Sequence, residues 1–168
     1  WLKRKALVDI AALATLYALR VVAGGVATGI ELSVWLLAFS VFLFFALAAV
    51  KRQAELVDLK ERGLSWASGR GYRTEDLPVV SQLAVAAGFV AVLVLMLYLQ
   101  EPQNQERYSS PQALLGACLV LLYWVGRMVL LASRGQMHDD PVVFATRDRV
   151  SLGCAAVVAA LVAGAILW

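Results

Sequence analysis

Charge is what this sequence has least of. Asp, Glu, Lys and Arg make up 16% of its 168 residues and 61% are hydrophobic, whereas an ordinary soluble domain is about 25% charged. So small a polar complement excludes a water-soluble globule and a disordered tail. Cysteine is nearly absent. Cys118 and Cys154 each lie inside an apolar run, which excludes a disulfide-stapled scaffold and reads as two small buried side chains. Histidine occurs once, at His138, and a lone imidazole makes no metal site. There is no G-x-x-x-x-G-K, no H-E-x-x-H and no serine nucleophile elbow, so the common signatures of soluble enzymes are missing. The net charge of +3 does not point to nucleic acid, because the basic residues fall between apolar runs and have no hydrophilic face on which to gather. The expected partner is a lipid bilayer, with no nucleic acid.

Long hydrophobic runs are what the chain has in quantity. Crossing roughly 30 Å of hydrocarbon takes about 20 residues of helix, since backbone groups left unsatisfied in lipid are too costly for anything but helices or closed barrels. Five runs qualify, at about 7–29, 32–50, 78–99, 111–133 and 149–168. None alternates with period two, which removes a barrel. The expected fold is an all-α, polytopic transmembrane helical bundle of one domain. Ser110-Pro111 and Asp140-Pro141 each place a capping side chain before a proline at the first helical position. Gly63 should end a helix running out of the second span. Gly25 and Gly29 form a G-x-x-x-G beside the short turn at Ile30 and Glu31, which would let two antiparallel helices approach closely. The opening Trp1-Leu2-Lys3-Arg4-Lys5 has neither Met nor a signal-peptide cleavage site, so a piece of a longer polypeptide is expected.

Lys and Arg are distributed unequally between the two ends of these runs. One side receives Lys3, Arg4, Lys5, Lys51, Arg52, Lys60, Arg62, Arg70, Arg73, Arg134, Arg147 and Arg149, and the other only Arg107. By the positive-inside rule the first side is cytoplasmic, which puts the amino end inside the cell membrane and the carboxyl end, with Trp168 in the aromatic belt, outside.

Three ionisable residues fall within the runs: Asp9, Arg20 and Arg127. Such residues are costly in lipid and face a protein interior or a wet cavity unless they snorkel. Asp9 and Arg127 lie close enough to the cytoplasmic edge to be interface anchors, whereas Arg20 lies at or past mid-depth. A cavity lined by helices one and four would serve all three.

The loop at 51–77 carries the densest chemistry. Lys51 with Glu55, and Asp58 with Arg62, stand at i,i+4 spacing on a helical continuation of the second span; Lys60 and Glu61 read as solvated face. Lys51, Arg52 and Glu55 emerge at the bilayer rim, where a cationic pair beside a carboxylate suits a diphosphate headgroup. Tyr72, Arg73, Glu75 and Asp76 then crowd the mouth of the third span; Asp76 is equally a helix cap, and paired acids can hold Mg²⁺ through water and phosphate oxygens. His138, Asp139, Asp140, Arg147 and Asp148 form a weaker group, with Asp140 as a cap and Arg147 pairing Asp148.

The order of these segments resembles a known family. Trp1-Leu2-Lys3-Arg4-Lys5 through Asp9, Leu19-Arg20-Val21-Val22-Ala23-Gly24-Gly25, Lys51-Arg52-Gln53-Ala54-Glu55-Leu56, Gly69-Arg70-Gly71-Tyr72 and Arg147-Asp148-Arg149-Val150-Ser151 resemble the carboxyl-terminal half of UbiA-type membrane prenyltransferases, nearest the decaprenyl-phosphate phosphoribosyltransferase-like branch. The resemblance implies helices five to nine of a nine-helix bundle around a cavity open to cytoplasm and lipid. It implies transfer of a prenyl group from a Mg²⁺-bound diphosphate to an acceptor, or of a phosphoribosyl group to polyprenyl phosphate. Lys51, Arg52 and Glu55 would be the catalytic residues; Arg20, Tyr72, Arg73 and Arg127 would bind substrate; Glu75 and Asp76 would be minor metal ligands. The isoprenoid diphosphate or polyprenyl phosphate and the amino-terminal half of the same bundle would be the partners. The family's N-D-x-x-D-x-x-x-D is absent from this sequence, so most metal ligands are expected in that other half. Its second D-x-x-x-D is absent too, which speaks against the usual aromatic acceptor. Two competing readings stand beside this one: a transporter with Arg20 and Arg127 along an anion route, and an assembly subunit whose charges only set topology.

Overall fold

The computed structural model describes residues 5–30, 32–66, 71–101, 108, 111–137 and 140–167. Lys3, Arg4, Glu31, Gly69, Arg70, Arg107, Ser110, His138, Asp139 and Trp168, all singled out above, lie outside them. The described chain is all-α: α1 (Val8–Thr28), α2 (Val34–Glu61), α3 (Leu77–Gln100), α4 (Pro111–Ser133), a short α5 (Pro141–Arg147) and α6 (Arg149–Leu167), with a 3₁₀ turn, Thr74–Asp76, leading into α3. Five helices are long and apolar enough to cross a membrane, so the protein is membrane-inserted.

The helix ends follow the local sequence. The Ser33 hydroxyl accepts from Trp35 N (3.2 Å) to open α2, and the Asp140 carboxylate accepts from Val142 N (3.0 Å) to open α5. Gly29, Gly63 and Gly135 take φ near +68°, +70° and +66°, the left-handed conformation that closes α1, α2 and α4 at low steric cost. This corrects the G-x-x-x-G reading. Because α1 stops at Thr28, Gly29 is a terminator, and only Gly25 gives close approach: a methyl added there would meet Leu32 Cγ at 2.6 Å.

Helix α2 is the hub. Its 28 residues run about 42 Å, longer than the hydrocarbon, so its last three turns carry the polar residues clear of the apolar run. Helices α1, α3, α4 and α5 all pack on it, and α6 joins through α4 and α5. Small residues make this possible: Ala46, Ala49, Ala84, Ala91 and Ala132 are almost wholly buried at the crossings. Val125 of α4 seats where any side chain on Gly88 of α3 would stand. One apolar cluster, including Ile10, Ala49, Leu56, Ala84, Met128 and Met137, lies directly beneath the polar end; a second, around Val92, Leu99, Leu114 and Cys118, holds the far end of α3 and α4. Cys118 is buried, Cys154 half-buried, and both are free thiols.

Candidate functional site

Three ionic groups meet where α1 begins, α2 leaves its apolar run and α6 starts. The first centres on Arg52, whose side chain is 3% exposed. Its two terminal nitrogens donate to Asp9 on α1 and to Glu55 one turn along α2. The guanidinium also lies 5.1 Å from the centroid of the Tyr72 ring. The Tyr72 hydroxyl donates to Asp9 Oδ1 (2.7 Å) and accepts from Leu7 N (2.6 Å), while Ile10 N donates to the same carboxylate oxygen (2.9 Å). Leu7, which makes that bond, has φ 67°, a conformation that disfavours leucine. Burial, and then the bond to Asp9, push the Tyr72 phenol up to about 12, so it stays a donor. A single cluster thereby ties the start of α1, the rim of α2 and the loop before α3.

The second group is Lys51 with Asp140, 2.7 Å apart, both partly exposed. The third links α4 to α6. Arg127 grips Asp148 with two bonds (2.6 and 3.1 Å), and Asp148 Oδ2 accepts from both the backbone N–H and the hydroxyl of Ser151 (2.8 Å each), capping α6. Trp124 Nε1 donates to the Ser151 hydroxyl (3.0 Å). Arg127 first, and then Ser151, hold the Asp148 carboxyl at about 2.

Two spaces adjoin these groups. A crevice lined by Tyr17, Phe44, Ala48, Lys51 and Asp140 offers about 10 Å³, room for about one water molecule. An apolar groove of about 520 Å³ runs between α2, α4, α5 and α6, lined by Leu43, Trp124, Val142, Ala145, Leu152 and Val158, with Ser151 in its wall. That volume falls in the range of ligand pockets.

Of the sequence candidates, Arg52, Glu55 and Tyr72 come together, while Lys51 pairs separately with Asp140. Arg73 turns outward, its guanidinium 4.4 Å from the Trp66 ring centroid, and its backbone N–H donates to Asp76 (2.9 Å). Glu75 is exposed. Among the described residues no three Asp, Glu, His or Cys side chains gather into a group that could hold a metal. Glu75 and Asp76 thus have no third such side chain gathered with them, and the Asp76 carboxylate accepts from Arg73 N. The shared cavity for Asp9, Arg20 and Arg127 is not formed: α1 and α4 both pack on α2, Asp9 is held by Arg52, Arg127 by Asp148, and Arg20 stands over the Tyr17 ring at 5.0 Å. Lys51 pairs with Asp140 where Glu55 was expected, since Arg52 binds Glu55; Asp148 pairs with Arg127 where Arg147 was expected. Asp58 and Arg62 do pair, at 3.0 Å. Sequence reasoning missed the Ser151 and Trp124 partners and the buried Gln53, whose amide donates to the Val129 carbonyl (3.2 Å). The Asp148-x-x-Ser151 spacing was the available signal for the first.

Two curated proteins are similar to this chain. The uncharacterized protein y4nM of Sinorhizobium fredii is 36% identical over 159 residues, which is 94% of this chain and 31% of that protein. Nodulation protein NoeC of Azorhizobium caulinodans is 36% identical over 146 residues, 87% of this chain and 48% of that protein. No family model matches, and no solved structure does. The chain thus spans about a third and about half the length of the curated relatives it matches.

Proposed function

We propose that this chain is the carboxyl-terminal part of a UbiA-type transferase of the cytoplasmic membrane, its polar end facing the cytoplasm and its carboxyl end outside. The observation that carries the reading is convergence. Asp9, Arg52, Glu55 and Tyr72, drawn from three of the segments in which the resemblance resides, form one contact group at the end of the bundle rich in Lys and Arg, and Lys51, the sequence neighbour of Arg52, pairs with Asp140. The adjoining groove suits the hydrocarbon of a substrate with an anionic head.

In this reading the bond from the transferred carbon to pyrophosphate breaks, the electron pair leaves with the pyrophosphate oxygen, and the acceptor forms the new bond, directly from a phosphate oxyanion or, for a quinone-type or phenolic acceptor, with release of a proton to water. Lys51, a third exposed, meets the charge that develops on the leaving group. Arg52 is enclosed by two carboxylates and acts as a positioning residue that sets Glu55 and Tyr72. Magnesium would accompany the diphosphate, with its principal ligands in other parts of the longer polypeptide. The donor carbon is either allylic, for a prenyl group, or anomeric, for phosphoribose. The Lys-Arg-x-x-Glu stretch in place of a second aspartate motif favours the phosphoribosyl version with polyprenyl phosphate as acceptor.

The test is pyrophosphate release, in lipid and magnesium buffer, by the polypeptide that carries this sequence. Phosphoribosyl pyrophosphate plus polyprenyl phosphate is compared with prenyl diphosphate plus a quinone-type or phenolic acceptor. Release with the first pair, lost about 100-fold in Lys51→Met, is the expected result. Release with the second pair alone selects the prenyl version. Silence with both, together with anion flux across sealed vesicles, would overturn the transferase reading in favour of a transporter.

A further inference from the structure

Arg20 is a cation placed where lipid should be, and its geometry restricts what can neutralise it. Helix α1 has 21 residues and is about 30 Å long. The guanidinium lies back over the ring of Tyr17, the direction in which helical side chains lean, and that ring stacks on Phe44 of α2 at 5.2 Å. At the level of Tyr17 the charge is about 14 Å from the Val8 end of the helix and about 16 Å from the Thr28 end. Neither interface is within reach of a snorkelling arginine held in this pose. Arg20 is exposed on α1, among the exposed Leu16, Leu19, Ala23 and Ala27, and among the described residues no carboxylate pairs with it.

The sequence itself holds no remedy. Of 12 acidic residues only Asp9 falls within an apolar run, and Asp9 is bound by Arg52 and Tyr72. A second copy of this chain would bring another Arg20 and no mid-span acid. Nor does a phosphate at Lys51 extend to it, because the crevice between Lys51 and Tyr17 has room for about one water molecule.

We infer that the Arg20 face of α1 is an interaction surface for a transmembrane helix that carries an Asp or Glu at mid-depth, supplied by a segment outside these 168 residues. An uncompensated arginine at the bilayer centre is costly, and ionisable residues at that depth pair with one another. The carboxylate helix supplies the countercharge, and Ala23 and Ala27 allow it to approach closely.

The test places a photo-crosslinking amino acid at Leu16 or Ala27 in the polypeptide carrying this sequence, irradiates it in its own membrane, and sequences the adduct. The expected adduct is an apolar segment with an Asp or Glu within a turn of its centre. It is lost at least tenfold in Arg20→Glu, reduced in Arg20→Leu, which inserts more readily than the native helix, and retained in Arg20→Lys. Exchanging the partner acid for Lys in the Arg20→Glu background restores it. Adducts to lipid alone, to a second copy, or to a helix without a mid-span acid would overturn the inference. So would an adduct unchanged in Arg20→Glu, or a donor Michaelis constant that rises in Arg20→Leu while the adduct is unchanged, which would assign Arg20 to substrate.

Discussion

The cluster around Arg52 makes a quantitative demand on a pair of variants. Asp9→Asn leaves a guanidinium with 3% exposure facing an amide and only Glu55 as countercharge. Breaking a buried ion pair costs about 3–5 kcal/mol, and the surviving carboxylate puts this case near about 3. Tyr72→Phe keeps the ring that Arg52 stacks on and removes only the hydroxyl. That hydroxyl donates to a charged acceptor and accepts from Leu7 N, a loss of about 2 kcal/mol. Tyr72→Phe deletes the Tyr72–Asp9 bond, and Asp9→Asn, whose amide oxygen can still accept, strips it of its charge assistance, so the two substitutions draw on the same interaction. The double variant should therefore cost about 3–4 kcal/mol rather than about 5, a coupling of about 1–2 kcal/mol. Equilibrium unfolding in mixed micelles, followed by helical circular dichroism, measures all four corners of the cycle. Additivity within about 0.3 kcal/mol, or an Asp9→Asn cost below about 1 kcal/mol, would show that the cluster is not the interlocked unit described here.

Two further expectations concern pH. The Tyr72 phenol is raised from 10.0 to about 12, so its contribution is whole below pH 10 and lost as pH rises through 12; wild type should lose stability across that window while Tyr72→Phe lacks the slope, and superimposed alkaline limbs would refute this. Asp148 is lowered from 3.8 to about 2, so its contribution is whole above pH 4 and lost as pH falls through 2; Asp148→Asn should flatten the acid limb and shift Trp124 fluorescence at neutral pH, because the Ser151 hydroxyl exchanges a charged acceptor for a neutral one, and an unchanged acid limb and spectrum would count against the Arg127 link.

Much of the fold could be read from composition because the bilayer leaves few options: about 20 apolar residues in a row have one stable backbone form in lipid. The caps at Asp140 and Gly63 were legible for a similar reason, since a carboxylate before proline and a glycine after a polar helix act within one turn. The ion pairs were not. Lys51 and Glu55 have the right spacing for each other, yet three-dimensional neighbours compete. Arg52 lies nearer the core and gathers both Asp9 and Glu55, which leaves Lys51 to an aspartate 89 residues away. Local spacing ranks partners only along one helix; here the winners came from α1 and from the cap of α5. Gly29 shows the same limit in reverse, because a motif that needs a continuous helix face was interrupted by the end of the helix.

Asp140 serves two masters, and that makes its loss hard to interpret. One oxygen closes the first turn of α5 by accepting from Val142 N, and the other is the counter-ion of Lys51. An alanine there would uncap the helix and free the lysine in one stroke, so any change in behaviour would confound shape with charge. Serine separates them: its hydroxyl can still accept from the backbone while contributing no charge. The wiring also runs the other way. Whatever draws Lys51 aside leaves the cap as the carboxylate's remaining bond, so the short helix whose Val142 and Ala145 wall the groove registers, through one shared side chain, the charge state of the bundle's mouth.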